Sequence, residues 1–167
     1  MEIYVYEAHQ DDPKKCTSAK LRRFGMAKPI YRLRNINKFS LVLDPSAQTV
    51  LTQNDKNIGQ SLVIIDCSWK KAREVFARRI KGYRRRLPLL VAANPINYGH
   101  VSTLSSLEAL SASLYIMSFC EEAANILTIF KWGPVFLSLN EERLKAYSKA
   151  KSEEDIIDLE EEFFRRA

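Results

Sequence analysis

An unbroken apolar run at residues 62–65 is the strongest structural signal in the chain. Its β-branched residues and its lack of alternation with polar positions predict a strand buried on both faces of a parallel sheet. The run ends at Asp66, and Ser68 then offers an N-cap for a helix predicted over residues 69–81. The apolar residues of that segment recur at helical spacing, at Ala72, Val75, Phe76 and Ile80.

The residues that follow this strand stand where a ligand site would be built. Ligands bind at the carboxyl edge of open α/β sheets, and Asp66, Ser68 and Trp69 come directly after the predicted strand. An Asp at such a junction is also often a helix cap, and a Trp is often a core anchor. Position alone therefore leaves a functional site and a structural junction both open.

Short strands dominate the pattern of the first half. Strands are predicted at residues 3–6, 30–33, 39–43 and 87–93, with local pairing at 50–52. A short helix capped by Thr17 or Ser18 is predicted to end near Gly25, and residues 44–46 have turn chemistry because Pro fixes φ and Asp bonds its own backbone.

Helices dominate the predicted second half. Ser105 and Glu108 match a capping box at the start of a long helix, whose first free amides would receive a carboxylate. Helical periodicity continues toward Phe130, with a break predicted at 120–124, and residues 133–134 are predicted to end this region.

Two charged helices are predicted to follow, capped by Asn140 and Ser152. The last has its apolar stripe at Ile156, Leu159 and Phe163. The acidic run over residues 153–162 is predicted to be a solvated face of this helix.

Composition and cysteine usage narrow the class of protein. The chain of 167 residues is 46% hydrophobic and 28% charged, which is typical of a globular protein. It has no apolar run of membrane-spanning length. Its first residues form no basic n-region, so no signal peptide is expected. The three cysteines, Cys16, Cys67 and Cys120, suit a reducing compartment, so a cytoplasmic protein is expected. His9 and His100 are isolated and C-x-x-C is absent, so no metal site is expected.

Several nucleotide and hydrolase motifs are absent from the sequence. It contains no Gly-x-Gly-x-x-Gly, no Walker-type loop and no Gly-x-Ser-x-Gly. A Rossmann nucleotide site, a P-loop enzyme and an α/β-hydrolase are therefore not expected.

Charge is unevenly divided along the chain. Residues 1–100 contain 19 Lys and Arg against 8 Asp and Glu, whereas residues 101–167 contain 7 against 12. A basic half suggests an anionic partner, with nucleic acid the first candidate, although charge runs are often only solvated faces. The predicted RNA-binding residues are Lys20, Arg22, Arg23, Lys70, Arg78, Arg79, Arg84 and Arg85.

Four ordered blocks of sequence resemble one family. Residues 12–21, 43–45, 66–69 and 87–108 together are similar to the small-subunit ribosomal RNA aminocarboxypropyltransferases. The resemblance implies an α/β fold that is SPOUT-like with a deep trefoil knot. It implies an N-terminal mixed sheet domain over residues 1–93, which binds RNA and cofactor, and a mostly helical C-terminal domain over residues 94–167.

The same resemblance implies an S-adenosyl-L-methionine site. Its residues would be Thr17, Leu43, Pro45, Ile65, Trp69, Ala72, Leu89, Ser102 and Ser106. Thr17 and a backbone amide near Ser106 would bind the cofactor's carboxylate, and the backbone of Ile65 would bind its ribose. Backbone groups near Leu89 and Ser102 would read the edge of the adenine.

The resemblance also implies that the apolar part of that site would select the group that is transferred. Leu43, Pro45 and Trp69 would line the adenine, while Trp69 and Ala72 would bury the methyl group. The methionine arm would then face the acceptor, N3 of a modified uridine of the N1-methylpseudouridine type. Asp66 is the candidate base, and its alternative role is to orient the substrate or to stabilise the cation.

The expected partner is small-subunit ribosomal RNA or a pre-ribosomal particle, with no membrane, no metal and a monomer as the provisional state. Two other functions remain open. One is a SPOUT-class RNA methyltransferase that uses the same cofactor with its methyl exposed. The other is a non-catalytic RNA-binding assembly factor that ignores the cofactor.

Overall fold

A five-stranded sheet lies at the centre of the protein, with strand order β2-β1-β4-β3-β5. The computed structural model describes residues 1–8 and 17–165. Its strands are β1 Glu2–Glu7, β2 Lys28–Ile30, β3 Ser40–Leu43, β4 Ser61–Asp66 and β5 Tyr83–Arg85. Its helices are α1 Thr17–Arg23, α2 Trp69–Phe76, α3 Ser106–Ile116, α4 Cys120–Leu127, α5 Gly133–Leu139, α6 Glu141–Tyr147 and α7 Glu153–Arg165.

The strand predicted from the apolar run is the middle strand, β4, and it is buried on both faces. Leu62 and Ile64 pack in a cluster with α1 and the helices from α3 to α7. Val63 and Ile65 pack in a second cluster with α2. The sheet is therefore covered on both sides, which explains why the run lacks polar alternation.

The expectation of a mixed sheet is wrong. All four strand pairs among the described residues are parallel. The strands are connected by crossover segments that run over the faces of the sheet. Each crossover returns the chain to the end of the sheet where the previous strand began, so the next strand is parallel.

The prediction of a strand at 87–93 is also wrong. The strand of this region, β5, lies earlier, in the basic segment Tyr83–Arg85. The amide of Leu89 donates to Glu160 at 2.8 Å, that of Val91 to Asn140 at 2.8 Å and that of Ala93 to Glu108 at 2.6 Å. Side chains from α3, from α7 and from Asn140 at the α5–α6 junction thus satisfy this apolar segment, so it is extended without joining the sheet.

Helix boundaries differ from the periodicity at three places. α2 ends at Phe76 rather than residue 81. The long helix divides earlier than predicted, between α3 and α4, where Ser118 has a φ of 71°. Residues 133–134 begin α5 instead of ending a helix, since proline fits the first turn of a helix.

The helices of the acidic half are anchored by buried polar side chains. Asn140 does not cap α6 with its side chain, because its amide bonds the backbone of Val91. Ser152 does cap α7, as predicted, with its hydroxyl 3.1 Å from the Asp155 amide. Glu160 is not a solvated acid of α7: it is buried and bonds Arg86 at 2.8 Å and 3.1 Å.

His9, Cys16 and the first part of the block at residues 12–21 lie outside the described residues. Among the described residues, none of the helices combines the length and the apolar character that crossing a bilayer requires.

Candidate active site at the carboxyl edge of the sheet

Asp66 ends β4 and joins the N-terminal turns of two helices. The Ser106 hydroxyl, on α3, donates to one carboxylate oxygen at 2.7 Å, and the Ser18 hydroxyl, on α1, donates to the other. These bonds bring Thr17, the first residue of α1, to the same edge of the sheet as Ser106. Asp66 therefore links three elements, which does not support the alternative that it merely caps α2.

The N-terminus of α3 is built by the predicted capping box. The Ser105 hydroxyl accepts from the Glu108 amide at 3.3 Å, and the Glu108 carboxylate accepts from the Ser105 amide at 2.7 Å. The amides of Ser106 and Leu107 donate no hydrogen bond to another described residue. A helix terminus of this kind attracts a carboxylate through its free N–H groups and its dipole.

Glu108 has a second role that the sequence did not reveal. Its side chain is 0% exposed, and besides Ser105 it accepts from the Ala93 amide at 2.6 Å, the Asn94 amide at 2.9 Å and the Asn94 side-chain amide at 2.8 Å. One carboxylate thus fixes the loop after residue 92 to the start of α3. This loop carries Ser102 and leads into the proposed carboxylate site.

Trp69 opens α2 and is 46% exposed, so the alternative of a buried core anchor is not supported. Ala72, one turn further along α2, is buried and borders an open hollow of about 400 Å³. The hollow is lined by Pro45, Ser46, Ala72, Arg73, Phe76 and Ala77. Pro45 and Ala72, two of the predicted cofactor residues, therefore meet at one surface.

The turn that carries Pro45 is held by the buried carboxylate of Asp44. Asp44 accepts from the Ser46 amide at 2.8 Å and from the Ser46 hydroxyl at 2.6 Å, and it pairs with Arg84. These hydrogen bonds fix the conformation of the turn and therefore the position of Pro45.

The segments near Leu89 and Ser102 also meet, through a bond of 2.9 Å from the Ser102 amide to the carbonyl of Leu90. Ser102 has a φ of 62°, a left-handed conformation that serines rarely adopt. The Leu89 carbonyl accepts from the Tyr147 hydroxyl at 3.0 Å, and burial raises the pKa of that hydroxyl, which keeps it a donor. The amide of Leu89 donates to Glu160, so both backbone groups of Leu89 have partners inside the protein.

Leu43 and Ile65 lie at the carboxyl ends of neighbouring strands, β3 and β4. Both side chains are buried, with 7% and 6% exposure. The sheet therefore brings these two predicted residues to the edge that carries Asp66.

The predicted RNA-binding side chains of α1 and α2 differ in exposure. Lys20 lies half-buried, with its Nζ 3.9 Å from the centre of the Phe130 ring. Arg22 is also half-buried, and its Nε lies 2.7 Å from Glu7. The exposed members of the set are Arg23, Lys70, Arg78 and Arg79.

Arg84 and Arg85, both in β5, have partners inside the protein. Arg84 donates to the Phe76 carbonyl at 2.7 Å in addition to its pair with Asp44. The Arg85 Nε lies 2.9 Å from the carboxylate of Asp55. These side chains hold β5 to its surroundings, and reversing their charge would break part-buried ion pairs.

No cluster of three His, Cys, Asp or Glu side chains suited to a metal ion occurs within residues 1–8 and 17–165. The described polar groups of this edge are hydroxyls, backbone amides and single carboxylates. Such a set suits hydrogen bonds to a polar organic ligand.

Two family models match the chain. One, described as "Ribosome biogenesis protein, C-terminal", matches residues 41–164. The other, described as "Possible Fer4-like domain in RNase L inhibitor, RLI", matches residues 1–32. A four-iron cluster is usually held by four cysteine thiolates, and residues 1–32 contain only Cys16. The second match therefore does not support an iron–sulfur centre.

Curated relatives match nearly the whole chain. The 16S rRNA aminocarboxypropyltransferase of Vulcanisaeta distributa is 45% identical over 87% of this chain and 81% of its own. That of Methanosphaera stadtmanae is 42% identical over 98% of this chain and 97% of its own. A solved structure, the SAM-dependent rRNA:acp-transferase Tsr3 from Vulcanisaeta distributa, superposes with a TM-score of 0.87 at 40% identity, covering 99% of this chain and 96% of that one.

Proposed function

This chain belongs to the family of 16S rRNA aminocarboxypropyltransferases, and from that premise we propose the reaction that it catalyses. It transfers the 3-amino-3-carboxypropyl group of S-adenosyl-L-methionine to small-subunit ribosomal RNA. The acceptor is N3 of a modified uridine of the N1-methylpseudouridine type. The observation that carries this proposal is the meeting of the α1 and α3 N-terminal turns at Asp66.

The described residues fit the cofactor in three respects. The amides of Ser106 and Leu107 suit its carboxylate, with Thr17 close by on α1. The hollow bordered by Pro45 and Ala72 offers an apolar wall for its base. Its ribose would meet the backbone of Ile65, and Leu43 and the backbone near Leu89 and Ser102 would complete the adenine site.

The chain's own contribution to the chemistry is positioning. Bound cofactor supplies an electrophilic carbon on each side of its sulfonium. Trp69 and Ala72 would cover the methyl side, which would leave the methionine arm facing the acceptor. Such alignment accounts for a large part of a reaction barrier. Asp66 accepts the proton that N3 of the uridine must lose, or it orients the uracil ring of the substrate.

The finer description of the fold is part of the same proposal. We propose a SPOUT-like arrangement with a deep trefoil knot, divided into residues 1–93, which hold the five described strands, and residues 94–167, which hold five of the described helices. The protein would act as a monomer in the cytoplasm, where the small-subunit RNA or its precursor particle is available.

RNA would approach across the basic first half. We propose contacts from the exposed side chains Arg23, Lys70, Arg78 and Arg79, with Lys20 and Arg22 at the edge of this surface. Arg84 and Arg85 act on this surface indirectly, because their ion pairs with Asp44 and Asp55 hold β5 in place. Phosphate contacts of this kind weaken with salt.

Replacing Trp69 by alanine should lower cofactor affinity by at least about tenfold, which needs only ~1.4 kcal/mol. Trp69 is half-exposed, so its loss removes the wall of the site at little cost to folding. Isothermal titration with S-adenosylmethionine measures the affinity. Trp132, the other tryptophan, is partly buried on the helical side, where it packs against the core. Trp132→Ala serves as the control, and an equal loss of affinity in both variants would refute the assignment of Trp69.

The alternative functions give different products. A methyltransferase releases S-adenosylhomocysteine, whereas aminocarboxypropyl transfer releases methylthioadenosine. An assembly factor without catalysis gives no heat with the cofactor. Chromatography of the released nucleoside separates the two transferases, and an assembly factor releases neither product.

A further inference from the structure

A second hollow, of about 470 Å³, opens on the face of the sheet that α2 covers. It is lined by Tyr6, Tyr31, Arg32, Leu33, Arg34, Arg78 and Arg79. Four of these seven residues are arginines, two are tyrosines, and none is acidic. The hollow is therefore a cationic surface with aromatic walls.

Three separate segments of the chain build this hollow. Tyr6 of β1 pairs in register with Ile30 at the end of β2 and with Ile65 of β4. The chain then turns at Tyr31 into a short 3-10 helix, Leu33–Asn35. Arg78 and Arg79 arrive just after the end of α2, so the arginines come together only through the fold.

The hollow lies on the opposite face of the sheet from the Asp66 carboxylate. Tyr6, Leu33 and Ile65 belong to the cluster that packs with α2. The carboxylate of Asp66 instead bonds Ser18 and Ser106, on the helices of the other face. Ile65 and Ala72, which would hold the cofactor, belong to the same cluster, but neither they nor Asp66 line this hollow. A molecule in this hollow would therefore be a neighbour of the reacting nucleotide rather than the reacting nucleotide itself.

The charges of this hollow are little neutralised. Arg32, Arg34 and Arg79 form no ion pair with a described residue, and Arg78 has only an exposed pair with Glu74, at 3.3 Å. Exposed pairs of that kind are weak. Because like charges brought together repel, this arrangement favours an anionic occupant.

Tyr31 restricts the occupant further than the charge of the hollow does. Its side chain is 75% exposed beside the arginines, so a ring face is available to solvent and to a partner. Aromatic side chains next to a cationic groove are how proteins hold single-stranded nucleic acid, with a base on the ring and phosphates on the cations. A duplex keeps its bases stacked and cannot use the ring.

We propose that this hollow is a subsite for an unpaired nucleotide of the substrate RNA, flanking the modified position. Its base stacks on Tyr31, and its phosphates lie against Arg32, Arg34, Arg78 and Arg79. The inference rests on the proposed function, because it takes the RNA substrate of that reaction as its occupant.

Fluorescence anisotropy with a labelled 12-nucleotide single-stranded RNA of mixed sequence tests this subsite. Tyr31→Ala and Tyr31→Leu should each weaken binding by about 5- to 100-fold, whereas Tyr31→Phe, which keeps the ring, should bind like the wild type. The same sequence as a blunt duplex should bind all four proteins equally. Arg34→Gln combined with Arg79→Gln should lower the slope of log affinity against log salt by about 1.4, while Lys149→Gln combined with Lys151→Gln should leave it unchanged.

The subsite is refuted if Tyr31→Ala binds single-stranded RNA as tightly as the wild type, or if Tyr31→Leu retains the affinity that Tyr31→Phe retains. An equal loss of duplex binding in Tyr31→Ala would also refute it, since the ring would then serve a general surface. Failure of the proposed function looks different: the wild type would release no methylthioadenosine, whatever Tyr31 does to RNA affinity.

Discussion

Replacing Glu108 by alanine is expected to lower the free energy of unfolding by about 3–5 kcal/mol, the largest effect on stability that we predict. The carboxylate is fully buried and accepts four hydrogen bonds, three of them from the backbone amides of Ala93, Asn94 and Ser105. Alanine would leave these donors without their acceptor, and each buried donor left unpaired costs about 1–3 kcal/mol. Urea unfolding followed by circular dichroism measures the change.

Two further variants define the cause of that loss. Glu108→Gln keeps one acceptor oxygen but turns an amide N–H toward two donors, so we expect a smaller yet clear loss of stability. Glu154→Ala removes an exposed carboxylate from α7 and should change the free energy of unfolding by less than about 0.5 kcal/mol. If Glu108→Ala were as stable as Glu154→Ala, this account of the loop would be wrong.

Asp66→Asn is expected to reduce the single-turnover rate by about 100-fold or more, with cofactor affinity within about threefold of the wild type. Asn keeps the shape of the side chain and can still accept a hydroxyl at its oxygen, but it carries no charge and cannot take a proton from N3 of a uridine. Rapid quenching with labelled cofactor and saturating RNA measures the rate. Near-normal turnover would exclude Asp66 as a base.

The serines bonded to Asp66 separate its two candidate roles. If the carboxylate works by holding the turns of α1 and α3, Ser18→Ala combined with Ser106→Ala should reproduce the Asp66→Asn defect. If it works by charge at the uridine, the double serine variant should retain most of the rate. Ser106→Thr is a milder control, because threonine keeps the hydroxyl that donates to Asp66.

Local signals predicted the elements whose cause is local. The apolar run gave β4, and the Ser105–Glu108 pair gave the start of α3, because burial on two faces and capping are visible over a few residues. The segment at 87–93 has the same apolar character as a strand. Its amides are satisfied by helices 15 to 71 residues away, which no local pattern reveals.

Charge counting does not show which basic side chains pair with acids inside the protein. The basic run at Arg84 to Arg86 suggested an RNA surface, yet each of these side chains pairs with an acid distant in sequence. Conversely, Arg32 and Arg34 lie far from Arg78 along the chain, and only the fold places them around one hollow. The sequence shows which side chains carry a charge. The tertiary structure decides whether such a side chain pairs with an acid inside the protein or faces solvent.

The central claim is best tested with two preparations of S-adenosylmethionine, one labelled in the carboxypropyl arm and one in the methyl group. Each is incubated with the protein and small-subunit RNA that carries N1-methylpseudouridine, and the RNA is then isolated. We expect the carboxypropyl label in the RNA, at one nucleoside per molecule, together with an equal amount of released methylthioadenosine. Methyl label in the RNA with release of S-adenosylhomocysteine, or no label from either preparation, would contradict the account.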